Sequence, residues 1–218
     1  MAGCCDPGGY REIFGPRFAR RQASRYRKRG LDAAAQWMVD FLTAHGVEGA
    51  TVLEIGGGVG EIQLELLRRG AAHATNLELI DTYDALAMQL AADAGLTGRV
   101  SRRRLDIAAA PDQIEPADIV VLHRVVCCYP DYSRLLGAAA DHARRLLVFS
   151  HPPRNAISRA VVATQNGVFQ LTGRSFRAFT HPPAAMVQVL SRHGFRVNRG
   201  RRASVWQAVG AERAAAGG

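Results

Sequence analysis

Val52-Leu53-Glu54-Ile55-Gly56-Gly57-Gly58-Val59-Gly60-Glu61 decides the fold. A short apolar run ends in four glycines within five residues, and the helix-patterned GEIQLELLRRG begins at the last of them. Glycine lets the chain turn sharply and lets a ligand approach bare backbone, where a helix start offers free N–H donors. A nicotinamide-type loop needs Gly-x-Gly-x-x-Gly. Counting from Gly56 the third position is Glu61, and from Gly58 it is Gln63, so both registers fail. The Gly-Lys-Ser/Thr of a phosphate-binding P-loop is missing as well.

Outward from this loop, apolar runs alternate with helical periodicity, the pattern of a parallel α/β sheet. Strands are expected at 50–55, 74–80, 99–105, 117–123 and 145–150, with 99–105 weakened by its arginines. Helices are expected from Leu31 to Gly46, over 61–70, 83–94 and 132–143, and in the segments 154–172 and 183–194. The strands 195–199 and 204–209 read as a hairpin. The expected architecture is a Rossmann-like, doubly wound α/β sheet. It is mostly parallel, with an antiparallel C-terminal hairpin and helices on both faces. Residues 1–30 read as a basic arm or lid, 31–210 as the main domain with 151–183 on its substrate side, and 211–218 as a flexible tail.

The chain has 218 residues, 48% hydrophobic and 22% charged, which suits one globular domain and excludes a disordered or collagen-like chain. Its net charge of +9 raises the question of nucleic acid. Residues 1–30 carry eight bases and two acids, hence +6, whereas the other 188 residues carry only +3. Moreover 27 of the 28 bases are arginine, a bias that GC-rich coding alone produces. Cys4-Cys5 and Cys127-Cys128 form adjacent pairs without metal-ligand spacing, so no metal is expected. No signal-peptide pattern or membrane-spanning run is present, and a cytoplasmic location is expected.

The glycine loop resembles the first motif of class I S-adenosylmethionine-dependent methyltransferases, acid–x–Gly–x–Gly–x–Gly, with Glu54, Gly56, Gly58 and Gly60 in the motif positions and Gly57 between them. In that family the loop faces the methionine part of the cofactor, which carries an ammonium and a sulfonium rather than a phosphate. The resemblance spans about residues 50–150 and implies S-adenosylmethionine as cofactor. It implies that Glu78, 20 residues after Gly58, accepts the ribose hydroxyls, and that Asp106 receives the adenine amino group, with Leu79 and Ile107 beside them. A second, shorter stretch, RRLLVFSHPPRNAISRA (144–160), is similar to magnesium-protoporphyrin O-methyltransferases in running from a strand into Pro-Pro-basic and a helix. At 7% aromatic the chain lacks the richness expected of a tetrapyrrole pocket, so tetrapyrrole stays one substrate candidate among others.

Methyl transfer asks the protein to position and desolvate a nucleophile, and sometimes to remove a proton. The loop after the fourth strand supplies His123 as a candidate general base and cofactor contact, and Tyr129 as a candidate catalytic or aligning group. Asp131 reads as a helix cap. Cys127 and Cys128 read first as packing thiols. Their sharper reading is a soft site for a thiophilic substrate such as trivalent arsenic, which requires Cys4-Cys5 to fold over the sheet edge. His151 and His181 each open a His-Pro-Pro turn and are candidates for the substrate mouth. In the family such an arm commonly closes over the active site, and the resemblance implies a lid that, lined by Arg21 and Arg25 with Arg17 and Arg20, favours an anionic small-molecule acceptor. A nucleic-acid methyltransferase and a non-catalytic cofactor-binding protein are the alternatives. The first lacks the Asn/Asp-Pro-Pro-aromatic motif of base-amino methyltransferases. The acceptor atom and the oligomeric state stay open at this point.

Overall fold

The computed structural model describes residues 7–203 and 206–215. Its centre is a seven-stranded sheet of β1 (Thr51–Ile55), β2 (His73–Glu78), β3 (Val100–Arg104), β4 (Ala117–Leu122), β5 (Ala143–His151), β6 (Phe195–Ala203) and β7 (Trp206–Arg213). The strand order is β3-β2-β1-β4-β5-β7-β6. The pairs among β1 to β5 are parallel, and β7 runs antiparallel to both β5 and β6. Because strand side chains alternate, each inner strand feeds two cores. Val52, Ile119, Val121, Leu146 and Val148 lie in one core, and Leu53, Val120, Leu122, Leu147 and Phe149 in the other.

The helices cover both faces. With the first core pack α3 (Ala33–Ala44), α4 (Glu61–Arg68) and α5 (Asp84–Asp93) through Met38, Leu42, Ile62, Leu66 and Leu90. With the second pack α6 (Tyr132–Asp141) and α8 (Pro183–Arg192) through Leu135, Leu136, Met186 and Leu190. The α3 helix starts at Asp32, whose carboxylate accepts the Ala34 and Ala35 N–H groups, and α6 starts at the expected cap, Asp131. The remaining helix of the main body, α7 (Ala156–Leu171), buries only Phe169.

The basic arm is two helices, α1 (Pro7–Ile13) and α2 (Pro16–Arg29), laid over the C-terminal ends of the strands. Tyr10, Ala19, Ala23 and Tyr26 are buried in the first core. The Tyr26 hydroxyl donates to Glu65 at 2.7 Å and accepts from Arg68 at 2.8 Å, and the Tyr10 hydroxyl donates to the Cys128 carbonyl at 2.6 Å.

One expectation needs correction. The tail does not begin at 211: Ala211, Glu212 and Arg213 continue β7, and Arg213 donates to the carbonyls of Ala140 and Ala143 at 2.8 Å. An inner strand finds backbone partners on both sides, so polar side chains at its end did not stop it. The arginine-rich third strand is a true edge strand, and its Arg102 points inward, with its side chain 11% exposed.

Candidate functional site

The carboxyl ends of β1, β2 and β4 and the roof of α1–α2 enclose a cavity of about 360 Å³. In an open α/β sheet this end, where the strand order reverses, is where ligands bind. The glycine loop forms its floor. Gly56, Gly58 and Gly60 have φ of +64°, +59° and +80°, which is the left-handed region that excludes most side chains. A Cβ on Gly57 would collide with Glu54 and Asn76, and one on Gly58 would come within 3.0 Å of the Gln22 amide of the lid. The loop therefore needs glycine both to turn and to fit under α2.

Beneath the loop a polar row crosses three strands. Glu54 on β1 pairs in register with Asn76 on β2, which pairs with Arg102 on β3. Register partners share a sheet face, so one inward acid brings an amide and a cation with it. Burial is the main force on Glu54 and pushes its carboxyl up to about 8, helped by the charge of Glu61, while Arg102 and the Gln63 N–H pull the other way. Burial likewise pushes Glu78 up to about 7, against the Gly58 N–H and Arg102. Below pH 4.5 both the folded and the unfolded chain hold the Glu54 proton. Between 4.5 and about 8 only the folded chain holds it, so stability falls as pH rises through that window. We expect urea unfolding of Glu54→Gln to show a stability advantage over the parent that grows from pH 5 to pH 8. A pH-independent difference would contradict this assignment.

Glu78 ends β2 and accepts the Gly58 N–H at 2.5 Å, which ties the second strand to the loop. Asp106 follows β3; one oxygen accepts the Ala108 N–H at 3.0 Å and the other accepts the Tyr129 hydroxyl at 3.0 Å. Tyr129 therefore sits against Asp106. The cavity wall includes Glu54, Gly56, Gly57, Gly58, Glu78, Leu79, Asp106, Ile107, His123, Cys128 and Tyr129, all of them expected from the sequence. Gly60 shapes the turn from outside the wall.

Beyond the loop lies a charged cluster. Asp32 Oδ2 is 2.5 Å from Arg124, 3.3 Å from Arg25 and 3.5 Å from His123 Nε2. Burial alone would raise the Asp32 carboxyl, but His123, the Ala35 N–H and Arg124 together hold it well below the usual carboxylate range. On the other side of the imidazole, Ser150 Oγ lies 3.0 Å from His123 Nδ1 and accepts the Arg124 N–H at 2.9 Å. His123 Nε2 is buried and has ion-pair distance but no hydrogen bond to a described residue. Arg124 takes a left-handed φ of +60°, and its guanidinium lies over the Trp206 ring at 4.9 Å. A non-glycine residue held there costs on the order of 1 kcal/mol and signals a position fixed by its surroundings. Glu61, buried at the start of α4, accepts from Arg25 at 2.7 Å and from Gln22 at 3.2 Å.

The other sequence-expected residues distribute as follows. Arg21 lines the cavity and has no hydrogen bond or ion pair among the described residues, whereas Arg25 is engaged by Asp32 and Glu61. Arg17 and Arg20 are exposed and lie outside the wall. His151 stacks on Phe149 and faces the Pro152 carbonyl, and His181 faces the Tyr129 carbonyl; neither lines the cavity, and burial lowers the pKa of both. The two Sγ atoms of Cys127 and Cys128 are 3.7 Å apart, and only Cys128 reaches the wall. The thiophilic reading also needed Cys4-Cys5, which lie outside the described residues. No group of three metal-ligating side chains occurs among the described residues.

Sequence reading missed the lid side chains Tyr10, Phe14, Phe18 and Gln22, and also Asp32, Glu61, Tyr83 and Arg124. Only the period of α2 carried a signal: Phe18, Arg21, Gln22 and Arg25 fall on one helical face, the one turned to the cavity. Aromatic residues are scarce in composition but concentrated here. Tyr10, Phe14, Phe18, Phe169 and Phe176 form one cluster of rings whose centroids lie 5.4–6.1 Å apart in successive pairs.

No family model matches the chain, and no curated protein matches it in sequence. Solved structures do. Magnesium protoporphyrin IX methyltransferase from Synechocystis PCC 6803, crystallised with S-adenosylhomocysteine, superposes with a TM-score of 0.69 at 21% identity over 94% of this chain and 93% of its own. An O-methyltransferase family protein from Burkholderia thailandensis gives 0.67 at 22% identity over 91% of this chain and 62% of its own. The cyclase SpnF gives 0.63 at 14% identity over 81% and 80%. With the strand order, the glycine loop and these likenesses together, the chain has the class I S-adenosylmethionine-dependent methyltransferase fold.

Proposed function

We propose that the protein transfers a methyl group from S-adenosylmethionine to a small-molecule acceptor. One observation carries this reading: the glycine loop, Glu78, Asp106 and His123 all line a single cavity. Four acids in that wall, Glu54, Glu61, Glu78 and Asp106, suit a ligand with an ammonium, a sulfonium, a diol and an exocyclic amine. Glu78 would accept the ribose hydroxyls and Asp106 the adenine amino group, with Tyr129 holding the second Asp106 oxygen in place. Glu54 and the loop backbone would face the methionine end. When bound, the cofactor supplies a methyl carbon already activated by its sulfonium.

His123 would take the proton of the acceptor. With its Nδ1–H donated to Ser150, Nε2 is left as the base, and Asp32 at 3.5 Å stabilises the imidazolium that forms. This arrangement favours an acceptor atom that carries a removable proton. Arg21, a cation without a partner in the wall, favours an anionic group on the same molecule. The nucleic-acid alternative draws on the arm, but Arg25 and Arg27 there are paired with Asp32, Glu61 and Asp93.

The test is a screen of small-molecule extracts with methyl-labelled cofactor, followed by His123→Gln. We expect label transfer, a kcat lowered by about 10²–10⁴-fold in the variant, and retained binding of S-adenosylhomocysteine. Label transfer with equal kcat in both proteins would remove the base role. Absence of transfer together with absence of cofactor binding would remove the function.

A further inference from the structure

The α7 helix turns its apolar residues the wrong way. Its one buried side chain is Phe169, while Ile157, Val161, Val168 and Leu171 are 76%, 60%, 50% and 89% exposed. At 100° per residue these four fall within an outward stripe about 80° wide, and the buried Phe169 lies about 115° around the helix from its centre. An amphipathic helix with its apolar stripe in water marks a surface that something covers.

The charge around it says what kind of partner fits. Residues 142–211 contain no aspartate or glutamate and 11 arginines, whereas 31–141 contain 16 acids and 8 bases. The near-neutral core of the sequence count is thus two oppositely charged halves. Arg154, two residues before α7, is exposed, whereas Arg159 lies within the helix on the side away from the stripe. Arg174 follows its end, 5.7 Å from the Phe169 ring. Through the buried rings of Phe169 and Phe176, and through Phe14, the cluster joins this end of α7 to the half-exposed Phe18 of α2.

We propose that this face, the outward stripe of α7 with the exposed Arg154 and Arg174 beyond its two ends, docks onto an anionic phospholipid bilayer surface. A row of aliphatic side chains with an exposed arginine beyond each end, in a segment of sequence without an acid, matches the physics of a helix lying in the headgroup region: the apolar stripe enters the acyl boundary and the guanidinium groups meet lipid phosphates. A second copy of the chain would set arginine against arginine. A nucleic acid would satisfy the arginines and leave Ile157 and Leu171 in water.

The test is co-sedimentation of the full chain with vesicles of phosphatidylglycerol and phosphatidylcholine in equal parts, and with phosphatidylcholine alone. We expect binding to the anionic vesicles that weakens with salt and little binding to the neutral ones. The double variant Ile157→Ser/Leu171→Ser, whose changes lie on the exposed face, should lose at least ~tenfold in vesicle affinity while keeping its thermal unfolding temperature. Failure to bind anionic vesicles would overturn the proposal. So would binding that the double variant leaves intact, which would point to the arginines as a polyanion site only. A dimer in sedimentation equilibrium that the double variant dissolves would assign the face to a second copy instead.

Discussion

Replacing Asp32 by alanine is expected to lower the unfolding free energy by about 3 kcal/mol at neutral pH: about 1 from the lost helix cap and about 2 from charged hydrogen bonds left without their acceptor. Its Oδ1 caps α3 through Ala34 and Ala35 at 2.9 and 3.0 Å, and its Oδ2 faces Arg25, Arg124 and His123. Asp32→Asn keeps a good cap and removes the charge, so it should cost about 2 kcal/mol and separate the two roles. The sign with pH follows from the depressed carboxyl. The contribution is complete above the unfolded-state value of 3.8 and is lost as pH falls below it. Urea unfolding of the parent and both variants, with an unchanged slope, makes the comparison. Equal stabilities of parent and Asp32→Ala would mean that the lid, the α3 start and the His123 loop are not joined through this carboxylate.

Glu78→Ala carries the second large effect. Two charge-assisted hydrogen bonds to the ribose hydroxyls would go, worth about 3 kcal/mol together, or roughly 100-fold in affinity. The side chain also holds Gly58 N–H at 2.5 Å, so the loop loses its anchor to β2. The folded state without ligand should tolerate the change at pH 8, because burial already disfavours this charge and pushes the carboxyl up to about 7. Titration calorimetry with S-adenosylhomocysteine, beside thermal unfolding of the free protein, separates lost affinity from lost fold. An affinity within threefold of the parent would contradict the role given to Glu78.

The parts of this site that the sequence displays are those contiguous in the chain. Glu54, the glycines and the helix start form one run of residues, so their turn and their open backbone read directly. Glu78 and Asp106 fall at strand ends, and alternation alone places those ends at one edge of a parallel sheet. Asn76 and Arg102 were invisible because only cross-strand register sets them beside Glu54. Arg102 even counted against its strand, since a buried arginine looks the same in sequence as a solvated one. Asp32 showed itself as a residue before a helix, and nothing local tells that Arg25, 7 residues earlier, and Arg124, 92 residues later, converge on it. The lid aromatics were diluted in a chain-wide 7%, a figure that hides five rings in one cluster. Charge misled in the same way. The +3 of residues 31–218 averages an acidic half that carries the cavity floor with an acid-free half that carries α7.

The most direct test of the central claim is titration of the purified protein with S-adenosylhomocysteine in a calorimeter. One site with a Kd on the order of 1 μM, about −8 kcal/mol, and a matching rise in thermal unfolding temperature are predicted. No heat and no thermal shift with either S-adenosylhomocysteine or S-adenosylmethionine would contradict it.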